Sequence, residues 1–429
     1  MANEIFSADN ELRLSDMAEN LVPSEIIKLA GEVNEKIKNG EHIFNLTIGD
    51  FDPCIFPIPE VLKDQIIGAY EAGQTNYPTS SGMIELRKAV SDYLSIYGGI
   101  EYAESQILIA GGGRPLIYAA YQAVIDPGDS VIFPVPSWNN NHYCHISGAK
   151  QIPILTEPED NFMLRPEDLK SHIEEASLVA LCSPLNPTGT TFSNEGLTAI
   201  CEIIIDENTR REGVKKPVYL LYDQIYWQLT FGDTEHFNPV GLVPAMKDYT
   251  ICIDGMSKAF AATGVRIGWG FGPQKIVNKM KAIISHLGAW SPRAEQVAAA
   301  AFLNMNEEVH TYLDGFKNRI EDRLNGFFKG FKTLKSLGYN IDAISPQAAM
   351  YLTVKIDLRG MRTKEGTELT NIEDVTHFLL NQAKVALVPF YAFGTDHNTP
   401  WYRLSIGTAS MSDIDRFFEN LQSALSELS

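Results

Sequence analysis

The chain has no apolar run of the roughly 18 residues that a membrane span requires. Basic side chains are scarce, with 35 Lys and Arg against 54 Asp and Glu and a formal net charge of −19. Such a surface disfavours nucleic acid and anionic lipid, so an anionic ligand must be met by locally placed arginines. Cysteine is sparse. The five (Cys54, Cys144, Cys182, Cys201 and Cys252) are scattered and form no C-x-x-C pair, which argues against a zinc ribbon, a redox motif or a disulfide framework. They are expected to be reduced and mostly buried. The nine histidines show neither H-x-x-x-H nor H-E-x-x-H spacing, so no metal centre is expected. Residues Met1 to Asp16 are polar and acidic and lack the basic and apolar regions of a signal peptide, which makes the cytoplasm the expected location. There is no low-complexity tract and no internal repeat.

What the chain does have is length and a globular composition. At 429 residues, 45% hydrophobic and 21% charged, it exceeds what a single core organises, and two packed units are expected. Short β-branched runs alternate with helical patterns at Gln106–Ala110, Ser130–Phe133, Gln151–Leu155, Leu178–Cys182, Val218–Tyr222, Thr250–Ile253 and Arg266–Phe271. That alternation predicts a mostly parallel sheet covered on both faces, with ligands gathered at the carboxyl ends of the strands. After about residue 300 come amphipathic helices over Ala294–Asn304 and Glu307–Leu337, then strands at Met350–Ile356, Val385–Val388 and Tyr402–Ile406. The expected units are residues 56–305, and residues 1–55 packed with 306–429, the first 55 residues having no strand series of their own.

The chemically telling residues fall at predicted strand ends. Asp254-Gly-Met-Ser-Lys258 follows Thr250–Ile253, and Arg266 lies eight residues further on in Thr263-Gly-Val-Arg-Ile-Gly268. A lysine desolvated there beside a cation has a lowered pKa and attacks a carbonyl readily. An exposed loop lysine and a structural arginine are the plainer alternative. Asp223 follows the apolar run Val218–Tyr222, with Tyr226 three residues later. A buried acid at a strand end needs a cationic partner such as a protonated ring nitrogen, unless it caps a helix. Tyr226 is a core residue on the plainer view.

Ser183-Pro-Leu-Asn-Pro-Thr-Gly189 turns the chain after Leu178–Cys182 and leaves the Asn186 amide at the strand end, although a plain strand-to-helix turn explains it equally well. In Gly111-Gly-Gly-Arg-Pro115 the glycines let main-chain N–H groups approach a phosphate at a helix N-terminus. The run matches neither G-x-G-x-x-G nor a Walker lysine loop. Trp138 follows another strand and is suited to stacking on a flat ring or to a place in the core.

In chain order these segments, with Ile48-Gly-Asp-Phe-Asp-Pro53, Tyr77-Pro-Thr-Ser-Ser-Gly82, Glu85-Leu-Arg87, Asp126-Pro-Gly-Asp129 and Arg403, resemble the class I/II aminotransferases. The likeness spans nearly the whole chain and looks closest to the aspartate/aromatic branch. It implies an α/β, fold-type I PLP-transferase: a large domain with a mostly parallel sheet between helices, plus a smaller α+β domain. It also implies pyridoxal 5'-phosphate, carried by Lys258 as a Schiff base, and a homodimer.

By the same resemblance Lys258 moves the substrate proton and Asp223 keeps the ring nitrogen protonated. Tyr226 and Asn186 hold the phenolic oxygen, and Trp138 stacks on the ring. Arg266, Ser257, the main chain around Gly112, Gly113 and Arg114, and Tyr77 of the partner subunit hold the phosphate. Arg403, aided by the Gly49 main chain and Asn186, grips the substrate α-carboxylate. The implied reaction moves the amine of an L-amino acid, aspartate first, to a 2-oxo acid, 2-oxoglutarate. An aromatic or kynurenine-type aminotransferase and a carbon–sulfur β-lyase are the alternatives. A non-enzymatic regulator is a remote third, against which the acidic charge and the lack of room for a winged helix count.

Two positions depart from the family pattern. Gly255 stands where many relatives have a serine that donates to the phosphate. Gly113 stands where one aspartate-using subgroup has a lysine facing the distal carboxylate, a task left to Arg114 or Arg293.

Overall fold

The computed structural model describes residues 14–22 and 25–429. Residues 1–13, part of the expected smaller unit, lie outside that range.

Among the described residues, thirteen strands run in chain order as β1 (Phe44–Asn45), β2 (Ile107–Ala110), β3 (Ser130–Val135), β4 (Lys150–Leu155), β5 (Ala176–Cys182), β6 (Tyr219–Asp223), β7 (Thr250–Gly255), β8 (Gly268–Phe271), β9 (Ile341–Ala343), β10 (Tyr351–Ile356), β11 (Val385–Ala386), β12 (Val388–Pro389) and β13 (Trp401–Ser405). Seven of them form one sheet in the order β2-β8-β7-β6-β5-β3-β4. Its neighbours pair in parallel except at β8, which runs against both β7 and β2.

Alternate residues of these strands enter two different apolar clusters. Ile107, Val179, Leu220 and Cys252 face one side with the helices Ile84–Gly98, Asn194–Arg211 and Arg293–Leu303. Leu108, Leu178, Leu221 and Ile251 face the other, with Gly113–Val124 and Gln274–Leu287. Both faces are covered, so the strands read as unbroken apolar runs instead of alternating with polar residues. This is the α/β architecture expected from the sequence.

Four of the remaining six strands build an antiparallel sheet, β12-β13-β10-β9, backed by the helices Asn306–Ser336 and Met411–Ser426. Phe327, Phe331 and Phe417 fill the space between helices and sheet. The N-terminal segment joins the same cluster through Phe44, Leu46, Phe51 and Phe56, and β1 pairs in parallel with β11.

Two expected elements are corrected. The single strand Val385–Val388 is split: Val385 and Ala386 pair with β1, while Val388 and Pro389 pair with β13. One apolar run thus serves two sheets, which periodicity cannot disclose. The strand expected from Arg266 begins instead at Gly268, because Arg266 adopts a left-handed conformation at φ 60° that ends strand geometry.

Phe417 is fully buried and its ring meets Phe44, Phe327, Phe331 and Phe418 edge-on. Phe417→Ala should cost about 3–5 kcal/mol in chemical denaturation, because the cavity is walled by large rings on two helices and the N-terminal strand and cannot collapse. A loss below about 1 kcal/mol would show that this cluster does not hold the segment in place.

Candidate active site

A cavity of about 570 Å³ opens at the carboxyl ends of the parallel strands. The large sheet forms its floor, and Tyr351, Arg403 and the segment Thr47–Asp50 close it from the other side. Residues separated by more than 350 positions therefore share one wall.

Lys258 sits on the single helical turn Met256–Ala259 that follows β7, and its Nζ donates to the Gly49 carbonyl at 2.6 Å. Burial is the main reason its pKa falls to about 8; Asp50 works the other way, and Arg403, Arg114 and Arg266 add to the lowering. Asp223 is the last residue of β6. It accepts from the Ile225 N–H at 3.1 Å, and burial lifts its carboxyl to about 6. Among the described residues, no basic side chain forms an ion pair with Asp223. It lies deep in the protein yet faces the cavity.

Arg403 donates from Nη1 to Asn186 Oδ1 at 3.0 Å and from Nη2 to the Thr47 carbonyl at 2.7 Å. Its Nε is buried without a partner, and the guanidinium stacks near Tyr351 and Phe393 at 4.7 and 5.0 Å. Because Arg403 engages the Asn186 oxygen, the Asn186 amide nitrogen is left to donate to the cavity. The Tyr226 hydroxyl lies 2.7 Å from that of Tyr351.

At the opposite end the cavity is built for an anion. The helix Gly113–Val124 starts on the wall, and Gly113, Arg114, Ser257 and Arg266 all line it. Arg266 is exposed there, anchored by the Thr263 and Gly111 carbonyls at 2.7 and 2.6 Å. Gly112 is not itself on the wall but lies behind the guanidinium; its φ of +99° and the Arg266 Nη2 both exclude a side chain. Trp138 lines the cavity with the Arg114 guanidinium 5.4 Å from its ring. Tyr77 does not reach the wall of its own chain; it is 81% exposed beside Trp290.

A flat, phosphorylated aldehyde with a basic ring nitrogen fits this constellation: an amine disposed to lose its proton, an unpaired acid, an anion cradle and an aromatic face. A protein-family model described as "Aminotransferase class I and II" matches residues 41–421. The chain belongs to the aminotransferase class I and II family. Its cofactor is pyridoxal 5'-phosphate. Among relatives, the aspartate aminotransferase of Bacillus subtilis strain 168 is 28% identical over 419 residues, covering 95% of this chain and 99% of its own. A bifunctional aspartate aminotransferase and glutamate/aspartate-prephenate aminotransferase of Petunia hybrida is 29% identical, covering 97% and 83%. The solved aspartate aminotransferase of Rhizobium meliloti superposes with a TM-score of 0.88 at 27% identity, over 97% of this chain and 100% of that one.

The structure gives a reason for the departure of this aminotransferase at Gly255. A Cβ there would stand 2.7 Å from the Ile267 carbonyl oxygen, just ahead of β8, and 2.8 Å from Cα of Gly268, the first residue of β8, both backbone atoms. A serine cannot be accommodated without moving β8. Of the two arginines considered for a distal carboxylate, Arg114 is on the cavity wall; Arg293 is not, and donates to Gln74 at 2.8 Å.

Several wall and support residues were not foreseen. Tyr351 looked like one more apolar strand position. Asp50 accepts from Thr263 Oγ1 at 2.7 Å. Asp254 is buried and accepts from the indole nitrogens of Trp227 and Trp269 at 2.8 and 3.1 Å, with burial lifting it to about 8. It ties the segment after Tyr226 to the strands beside Lys258 and Arg266. An acid four residues before the lysine was the only sequence signal.

The lowered pKa of Lys258 has a signed consequence. Below about 8 the side chain is an ammonium and above it a free amine, so covalent uptake of pyridoxal phosphate by cofactor-free protein should accelerate with pH through a midpoint near 8. Asp50→Asn should move that midpoint down, since Asp50 favours the charged form. A midpoint near that of an ordinary lysine would contradict the geometry.

Proposed function

We propose that this transaminase takes the amine from L-aspartate and delivers it to 2-oxoglutarate. The observation that carries the reading is the pairing of Arg403, with its free buried Nε, and a second cation, Arg114, on the wall of the cavity that holds Lys258. Two separated cations suit a substrate with two carboxylates, because bidentate guanidinium contacts favour planar carboxylates. The relatives named for aspartate support it, as does the Thermus thermophilus aspartate aminotransferase solved with maleate, which superposes with a TM-score of 0.84 at 25% identity.

When bound, pyridoxal phosphate supplies an electron-accepting ring for the pair left as the substrate Cα–H bond breaks. On this reading Arg403 takes the α-carboxylate, with the Gly49 main chain beside it. Lys258 Nζ would serve as the general base that moves the Cα proton across the site. Asp223 would hold a proton on the ring nitrogen, whose charge would give the buried acid the counter-ion it lacks. Tyr226 and the Asn186 amide would donate to the phenolic oxygen, and Trp138, also on the cavity wall, would cover the ring face. Arg266, Ser257 and the N–H groups of Gly113 and Arg114, with Gly112 behind them, hold the phosphate.

The assembly we propose is a homodimer in which Tyr77 of the partner subunit completes the phosphate cradle; its exposure in the single chain supports this. We place the protein in the cytoplasm, and among the described residues no helix is long and apolar enough to cross a membrane. The division we propose is into two units, 56–305 and 1–55 with 306–429; most of the small-sheet cluster comes from the second, joined by Phe56, Tyr226, Leu229, Phe231 and Ala261 from the first, while Val309 and Leu313 join a cluster of the large sheet.

The test is a panel of amino donors with 2-oxoglutarate, followed by the visible absorbance of the bound cofactor. Aspartate should convert it fastest, and Lys258→Ala should abolish turnover. Arg114→Gln should raise the aspartate KM about 10- to 100-fold, the worth of one charge-assisted contact, and change that for phenylalanine about threefold or less. Rapid conversion by phenylalanine with indifference to aspartate would overturn the substrate assignment. Full activity in Lys258→Ala would overturn the whole reading.

A further inference from the structure

Tyr351 is an unforeseen side chain that meets both Tyr226 and Arg403. It is the first residue of β10, 1% exposed, and lines the cavity. Its hydroxyl lies 2.7 Å from the Tyr226 hydroxyl, and its ring stands 4.7 Å from the Arg403 guanidinium. Gly49 makes room for it: a Cβ at that position would approach the Tyr351 oxygen to 2.9 Å. The contact is therefore built from three segments, the N-terminal stretch, the loop after β6 and the smaller sheet.

A phenol has one hydrogen to give. If Tyr226 gave its hydrogen to Tyr351, only lone pairs would face the cavity, and an acceptor oxygen placed there would be repelled. If Tyr351 gives its hydrogen, the Tyr226 hydrogen is free for the cavity, and a donor that itself accepts a hydrogen bond donates more strongly. We propose that Tyr351 is a positioning residue, whose hydroxyl donates to Tyr226 and so aims the Tyr226 O–H at the phenolic oxygen of the cofactor, while its ring face holds Arg403 in place. This deepens the role given to Tyr226 above and rests on it.

The experiment titrates the visible absorbance of the bound cofactor against pH without substrate, and measures maleate affinity by its effect on that absorbance. Tyr351→Phe removes the hydroxyl and keeps the ring. With Tyr226 a weaker donor, the phenolic oxygen keeps more negative charge and holds a neighbouring proton longer. The absorbance midpoint should therefore rise by about half a pH unit to one unit, the effect of losing one buried hydrogen bond, with maleate affinity kept within about threefold. The same change made in Tyr226→Phe should leave the midpoint where Tyr226→Phe alone puts it, since the effect passes through Tyr226. Tyr351→Leu also removes the ring and should weaken maleate about tenfold.

An unmoved midpoint in Tyr351→Phe, or an equal shift in the Tyr226→Phe background, overturns the proposal. A parent protein that takes up no cofactor overturns the functional reading and this inference with it, an outcome visible before any variant is compared.

Discussion

Burial of three ionisable side chains without counter-ions is the constraint around which this protein is organised. Lys258 is bonded to a carbonyl, Asp223 to a backbone N–H, and Arg403 to an amide oxygen and a carbonyl. None of these neighbours carries an opposing charge. Holding unpaired charge away from water costs several kcal/mol per group, and ionisable groups escape by shifting toward neutrality. Both groups that can do so have: the lysine falls to about 8 and the aspartate rises to about 6. The signs agree with a penalty on each ion. Between about 8 and the usual lysine range the folded chain binds fewer protons than the unfolded one, so Lys258 makes stability rise with pH there. Between the usual carboxylate range and about 6 the folded chain binds more, so Asp223 makes stability fall as pH rises there. A cofactor bearing a carbonyl and a basic ring nitrogen suits the first two groups, and a carboxylate placed beside it suits the third.

The fold is what keeps these groups from relieving one another. Asp223 and Lys258 come from the ends of adjacent parallel strands, and side-by-side strand ends point their residues into one crevice without letting them meet. Arg403 arrives from the smaller sheet, and the segment Thr47–Gly49 spans the gap, accepting from Arg403 at one carbonyl and from Lys258 at another. That segment follows directly on β1, which pairs with β11 and packs into the aromatic cluster, and its Ile48 carbonyl accepts from the Ser405 hydroxyl at 2.6 Å. The rings of the small-sheet core thus act at a distance on the chemistry of the cavity, by deciding where two carbonyl oxygens stand.

Much of this was legible in the sequence, and the reason is local. Strand ends announce themselves by an apolar run followed by Pro, Gly, Asp or Ser, and Lys258, Asp223 and Asn186 each follow such a run. What stayed hidden depends on partners distant in the chain. Tyr351 meets a hydroxyl 125 positions away, and nothing near it marks that contact. The split of Val385–Val388 between two sheets, and the backbone contact that excludes a side chain at Gly255, are likewise settled by neighbouring strands. Which arginine near the Gly113 departure borders the cavity is also set by distant packing: Arg114 is on the wall, while Arg293 is not and donates to Gln74.

The central claim is that Asp223 is a buried acid waiting for a cation, and its own titration tests this most directly. Isotope-edited infrared spectra of the carboxyl, taken as the difference between the parent protein and Asp223→Asn, report its protonation with and without pyridoxal phosphate. The account predicts a carboxyl that titrates near pH 6 in the cofactor-free protein and stays ionised, once the cofactor is bound, down to the most acidic pH at which the protein remains folded. A carboxyl that still titrates near pH 6 with the cofactor in place would contradict it.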